Sequence, residues 1–308
     1  MDQRTGLPAA ASSDRRRTEL GLLILALIWG TNFPIIKQAL AEFPPLAFNA
    51  LRFPLASVVL LGFLAAGPGL SAPRRADVPR ILALGILANV FYQLLFIYGL
   101  DRTTAGNASL LLSTTPVWTA ILSSLAGHER LSSAVWVGLS GTVLGMALVV
   151  TGGGQGLDLG GETLTGDLLT IVAAVTWSVY TVSGRNLIHR YGSLPMTAWT
   201  LWAGTLVLFL FGAIPLARID LPRVSATAWF GVAYAGIPAI GVAYMLWNRG
   251  VRVLGNARTA VHSNLVPVVA LTAAWILLGE RPTGVQLAGA AVIIAGVTLT
   301  RSARARGT

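Results

Sequence analysis

The sequence contains no cysteine. Disulfide staples, thiolate nucleophiles and Cys-type zinc sites are therefore excluded. Charge is scarce as well. Only 11% of residues are charged, against about 25% in a soluble domain. Acidic residues number twelve, and all of them read as lying in tails, loops or the ends of apolar stretches. Of the three histidines, His128 and His189 fall at expected loops, and no carboxylate cluster converges with them. No metal site is expected. There is no GxSxG, no HExxH and no paired Asp within an apolar stretch. Hydrolytic and metal chemistry thus lack their residues, so the chain is expected not to be an enzyme and to need no cofactor.

What is present in excess is apolar surface. The chain is 54% hydrophobic over 308 residues, more than one water-facing globule can hide. Ten stretches are long enough to span a bilayer core. They cover about 20–40, 45–66, 79–100, 104–126, 131–152, 164–186, 194–214, 226–248, 256–278 and 282–300. The expected fold class is an all-α integral membrane protein with ten transmembrane helices. The net charge of +10 sits in the short gaps between stretches. Membrane topology accounts for that pattern better than nucleic-acid binding does.

The gap charges set an orientation. With the N-terminus cytoplasmic, sixteen Lys and Arg fall on that side, including Arg15, Arg16, Arg17, Arg74, Arg75, Arg80, Arg130, Arg185 and Arg190. Five fall on the other: Lys37, Arg102, Arg218, Arg223 and Arg281. Both termini are then cytoplasmic. The first nineteen residues read as an uncleaved polar tail. The acidic segment with Asp158, Glu162 and Asp167 reads as an outside loop.

The two halves resemble each other. Glu129 and Glu280 lie 151 residues apart, within Gly127-His128-Glu129-Arg130 and Gly279-Glu280-Arg281. At the same spacing, Pro116 answers Pro267, Gly138 answers Gly289, and Gly145 answers Gly296. Gly106-Asn107-Ala108 answers Gly255-Asn256-Ala257 with a two-residue shift, and Trp29 and Lys37 answer Trp177 and Arg185. Five spans per half is an odd number, so the second copy enters the membrane from the opposite side. The expected organisation is therefore a tail at 1–19, a first repeat at 20–152, an extracytoplasmic linker at 153–163, an inverted second repeat at 164–300 and a tail at 301–308. Inverted repeats are the architecture of many secondary transporters.

Trp29-Gly30-Thr31-Asn32-Phe33 with Lys37, then Arg52-Phe53, Pro116, Gly127-His128-Glu129-Arg130-Leu131-Ser132, Pro267 and Gly279-Glu280-Arg281 resemble the EamA-type permeases of the drug/metabolite transporter superfamily. The resemblance covers about residues 20–300. It implies a five-plus-five inverted repeat and export of metabolites or drugs. Within that family the pattern looks most like bacterial aromatic amino-acid exporters. A bacterial inner-membrane location, a small-molecule substrate, the lipid bilayer as surroundings and a monomer or weak homodimer follow as expectations.

Candidate cavity residues come from polar and aromatic side chains at mid-span. The first span places Trp29, Asn32 and Phe33 on one face, and the sixth offers Trp177 and Tyr180. The third carries Asn89, Tyr92 and Gln93, which are costly if they face lipid. Trp118, Tyr244, His262 and Asn264 complete the set. Each also has a plain structural reading, as packing or as interhelical hydrogen bonding. Pro116, Pro238 and Pro267 fall inside spans, as static kinks or as hinges. Lys37 and Arg52 read either as snorkelling to headgroups or pairing with Glu42, or as attracting a substrate carboxylate. The lack of a mid-span carboxylate favours transport down a gradient over proton coupling. A proton-driven drug or metabolite exporter and a lipid scramblase stand as alternatives.

Overall fold

The structure, a computed structural model, describes residues 9–67, 70, 72–127, 132–152, 161–254, 262–263 and 265–306. Among these residues the regular elements are all helical. The helices α1 (Ala9–Leu40) and α2 (Pro45–Ala65) are followed by α3 (Val78–Ile86) and α4 (Tyr92–Arg102). Then come α5 (Ala105–Leu112), α6 (Thr115–Leu125), α7 (Ser133–Thr151), α8 (Glu162–Tyr191) and α9 (Ser193–Ala217). The last are α10 (Ala226–Gly236), α11 (Ala243–Leu254), α12 (Leu265–Leu278) and α13 (Gly284–Arg306). Eight helical segments, from Asp14–Leu40 to Ala226–Trp247, are long and apolar enough to cross a bilayer; α12 and Gly284–Thr300 are shorter apolar helices. Large apolar side chains such as Leu61, Leu144, Leu206, Phe211 and Ile276 are exposed on the outside. Such a surface suits lipid rather than water.

Two boundaries differ from the sequence expectation. Helix α1 begins well inside the segment read as a polar tail, because Arg15 pairs with Glu19 one turn on, at 3.0 Å. Helix α13 runs through to Arg306 in the same way.

Two rods are interrupted by π-turns. One, Leu87–Phe91, joins α3 to α4; the other, Ile237–Val242, joins α10 to α11. Displaced by 151, the first maps onto 238–242, so the irregularity recurs with the repeat. A third rod is broken outright. Helices α5 and α6 are separated at Ser113–Thr114, and Pro116 stands in the first turn of α6. A proline there lacks an N–H that the helix would not have used. Pro116 thus stands at the start of α6 and within the apolar segment Ala105–Leu125, as its place inside a span implies. Pro267 stands likewise in the first turn of α12.

Helices α7 and α13 touch through backbone. A Cβ on Gly138 would lie 2.7 Å from the Gly296 carbonyl, and one on Gly145 would lie 2.8 Å from the Gly289 carbonyl. The early glycine of one helix thus meets the late glycine of the other, so the two helices run antiparallel. Helices α2 and α9 repeat this arrangement, with Gly212 against the Leu46 carbonyl and Ser57 bonded to Thr205 at 2.9 Å.

The polar ends separate into two groups. At one end Asp77 accepts from Arg190 at 2.7 Å and from Tyr191, while Arg80 reaches the Ser183 carbonyl. At the other, Glu42 accepts from the Ser225 N–H and hydroxyl. Those bonds hold the Glu42 carboxyl below its ordinary pKa.

Candidate functional site

A chain of aromatic rings runs through the interior. Phe33 of α1 meets Phe96 of α4 edge-on at 5.8 Å, and Tyr92 lies parallel to Phe96 at 6.1 Å. Tyr92 then meets Trp177 of α8 at 4.9 Å, and Trp177 meets Tyr180 at 5.2 Å. The chain therefore passes from the first half of the sequence to the second. Offset and edge-on ring contacts of this kind add stability beyond area burial. They also make a surface against which a flat apolar solute can lie.

Arg52 lies beside this chain. It is the eighth residue of α2, roughly 10 Å into the helix at 1.5 Å per residue, and it is 2% exposed. Its Nε donates to Asn49 Oδ1 at 2.9 Å and its Nη2 to Gln93 Oε1 at 2.7 Å. The rings of Phe48, Phe53 and Phe96 lie 5.1, 5.4 and 6.0 Å from the guanidinium carbon. Snorkelling and pairing with Glu42 are both overturned. The side chain turns inward, and Glu42 is held by Ser225.

A second polar centre links the ends of several helices. Asp167 is 1% exposed and accepts from the Thr103 hydroxyl at 2.5 Å and from Asn107 Nδ2 at 3.3 Å. Gln286 Nε2 donates to Asn107 Oδ1 at 2.9 Å, and Thr283 N–H donates to Gln286 Oε1. Lys37 caps α4 by donating to the carbonyls of Leu100, Asp101 and Thr103. Asp167 is thus a buried helical residue, not part of an outside loop. The cause is small-residue packing. A Cβ on Gly99 would meet Thr170 Oγ1 at 2.6 Å, and one on Gly166 would meet the Thr103 N–H at 2.6 Å. Helix α8 can therefore press against the end of α4. Nearby, Glu280 accepts from the Ala105 and Gly106 N–H groups at 2.9 and 3.1 Å, capping α5. Carboxylates belong at helix N-termini for this reason.

The remaining expected residues are scattered. Trp29 donates from Nε1 to the Ala239 carbonyl inside the second π-turn, at 2.9 Å, and packs on Trp247. Asn32 Oδ1 is buried with no hydrogen-bond partner among the described residues. Asn89 faces α9, where a Cβ on Gly204 would lie 2.2 Å from its own Cβ. Asn89 lies inside the first π-turn, and Tyr92 and Gln93 follow it directly. Tyr244 packs among residues of α2 and α9. Trp118 bonds Thr114 and packs with the apolar cluster of α5–α7 and α13, away from the aromatic chain. Pro238 lies in the first turn of the second π-turn. His262 is half-buried beside Ser263. Asn264, Glu129 and Arg130 lie outside the described residues.

A bundle of apolar helices, two matched irregular rods and a broken helix around an aromatic and polar interior fit a polytopic membrane protein. Residues 16–151 and 164–302 each match the EamA-like transporter family, and the chain belongs to that family. It is similar, at 31% identity over 90% of this chain and 91% of the other, to a "Probable terminal-alkyne amino-acid exporter" of Streptantibioticus cattleyicolor. It is 28% identical to a "Probable amino-acid metabolite efflux pump" of Escherichia coli, over 89% of this chain and 91% of that protein. An "Uncharacterized transporter YdfC" of Bacillus subtilis is 29% identical over 89% and 87%. One solved crystal structure superposes with a TM-score of 0.66 at 22% identity, covering 93% of this chain and 98% of that one, which establishes a shared fold alone.

Proposed function

We propose that this transporter is a bacterial inner-membrane carrier that exports amino acids or related metabolites by alternating access, down their gradient, with bulky aromatic solutes favoured. Its frame is read as ten helices in a five-plus-five inverted repeat, with both termini cytoplasmic. The observation that carries this reading is the ring chain Phe33–Phe96–Tyr92–Trp177–Tyr180, because it bridges the halves that alternating access must move. The antiparallel glycine contacts between α7 and α13 support the inverted repeat. Two relatives with amino-acid export in their names support the solute class. Proteoliposomes loaded with labelled phenylalanine, tryptophan, threonine or a nucleoside test it. Phenylalanine and tryptophan should leave fastest; equal rates for all four, or no flux, would sink the aromatic preference.

A second reading, proton-driven export, is favoured by the buried carboxylate of Asp167. Under that reading an imposed pH gradient drives uphill flux, and the drive disappears in Asp167→Asn, which keeps the shape and removes the titration. No uphill flux under an imposed pH gradient would leave only the gradient-driven reading.

A further inference from the structure

We infer that Arg52, together with Asn49, is the docking point for a carboxylate group on the transported solute. The inference rests on the exporter reading above and specifies what part of the solute the protein recognises.

The argument begins with counting donors. A guanidinium has five N–H groups and is never neutral in a protein. Here two of its nitrogens are engaged, and both acceptors are uncharged amides. The ion pairs among the described residues join Arg15, Arg102, Arg190, Arg223 and Arg249 to carboxylates, and Arg52 is in none of them. Nη1 makes no hydrogen bond among the described residues. Lys37 shows what a purely structural cation looks like in this fold. It ends a helix and meets three carbonyls. Arg52 does neither.

Asn49 sharpens the point. Its Oδ1 accepts from Arg52 Nε, which settles the orientation of the amide. Its Nδ2 is then a donor, fully buried and without a partner among the described residues. The residue thus adds an unused donor to a guanidinium that has unused donors of its own. A buried donor without an acceptor is rare in a folded protein unless something else supplies the acceptor. Two oxygens carrying one negative charge complement this arrangement, and the planar guanidinium matches a carboxylate better than any other side chain does. The surrounding rings of Phe48, Phe53 and Phe96 exclude water, which strengthens the attraction.

The position fits passage as well as binding. Gln93, which holds Nη2, is the second residue after the first π-turn. A Cβ on Gly236, at the start of the second, would lie 2.7 Å from the Arg52 carbonyl. Arg52 therefore sits between the two helical irregularities, where π-turns recur at functional sites. Phe96 contacts both the guanidinium and Tyr92. A solute anchored by its carboxylate at Arg52 can lay an apolar side chain along Tyr92 and Trp177.

Binding to purified protein in lipid nanodiscs, read as a thermal shift, tests the inference apart from transport. Phenylalanine should bind wild-type protein, and phenethylamine, which lacks only the carboxylate, should bind at least tenfold more weakly. Arg52→Met should lose phenylalanine affinity at least tenfold, and Arg52→Lys should recover part of it. Equal affinity for phenylalanine and phenethylamine in wild type would overturn the inference without any variant having to fold. So would unchanged affinity in a monodisperse Arg52→Met protein. If phenylalanine does not bind at all, the amino-acid reading fails. The carboxylate inference is then judged on phenylpyruvate and indole-3-acetate against their amides. Binding of an acid but not its amide supports it; binding of neither overturns it.

Discussion

Asp167 and Arg52 are both charged, both helical and both almost wholly withdrawn from solvent, at 1% and 2% exposure. Their surroundings differ in kind. Asp167 is met by a hydroxyl and an amide, and that amide is held in turn by Gln286, itself held by Thr283. Arg52 is met by two amides, one of which keeps an unused donor. The first centre closes on itself; the second stays open to an acceptor. A closed polar network rigidifies the structure, whereas an open one is costly unless something fills it. The difference separates a part of this molecule that holds helices together from a part that waits for a solute.

Replacing Asp167 by Ala should have the largest effect. It leaves the Thr103 hydroxyl and Asn107 amide without their acceptor, and about 3 kcal/mol of stability should be lost. Unfolding in detergent followed by circular dichroism measures it, and a loss below 1 kcal/mol would mean that the network is not what holds α4, α5 and α8. Glu280→Ala should cost less, about 1 to 2 kcal/mol, because it removes one cap from the α5 N-terminus. The same unfolding experiment reads it, and proteolysis between α4 and α5 should quicken. Arg52→Met should change stability little, within about 1 kcal/mol, since relief from burying a charge that lacks a charged partner offsets the donors lost to Asn49 and Gln93. A large destabilisation there would place Arg52 with Asp167 as a structural residue and erase the contrast. The smallest effect belongs to Glu42. Its folded pKa lies below its unfolded one, so its contact with Ser225 contributes fully above the unfolded pKa and is lost as pH falls through the depressed folded value. Glu42→Gln should flatten only that acid limb of a pH–stability curve.

Much of the frame was legible in the sequence. The 151-residue spacing of Pro116 with Pro267 survives as matched helix starts, and the repeated glycines Gly138, Gly145, Gly289 and Gly296 meet crosswise between α7 and α13. Phe33 and Trp177 were legible as mid-span aromatics on matching spans, and Tyr92 as a polar side chain that is costly against lipid. Depth was harder to read. Asp167 follows a helix start that carries no side-chain cap, so the acidic segment read as a loop. Its burial depends on Gly99 and Gly166 meeting across two distant helices. Arg52 read as a residue near a span end because α2 is an ordinary apolar helix; only Gln93, forty-one positions away, draws it inward. Asn89 was grouped with Tyr92 and Gln93 by regular spacing, which a π-turn interrupts.

That interruption has a consequence of its own. A residue added to one turn advances everything beyond it by about 100° around the helix axis. The turn at Leu87–Phe91 therefore acts like a frameshift written in rotation rather than in codons. Deleting one residue from it would leave every downstream side chain chemically intact and facing the wrong way. The same slip is encoded again at Ile237–Val242. Both rods thus carry the same rotation at matching places, 151 residues apart.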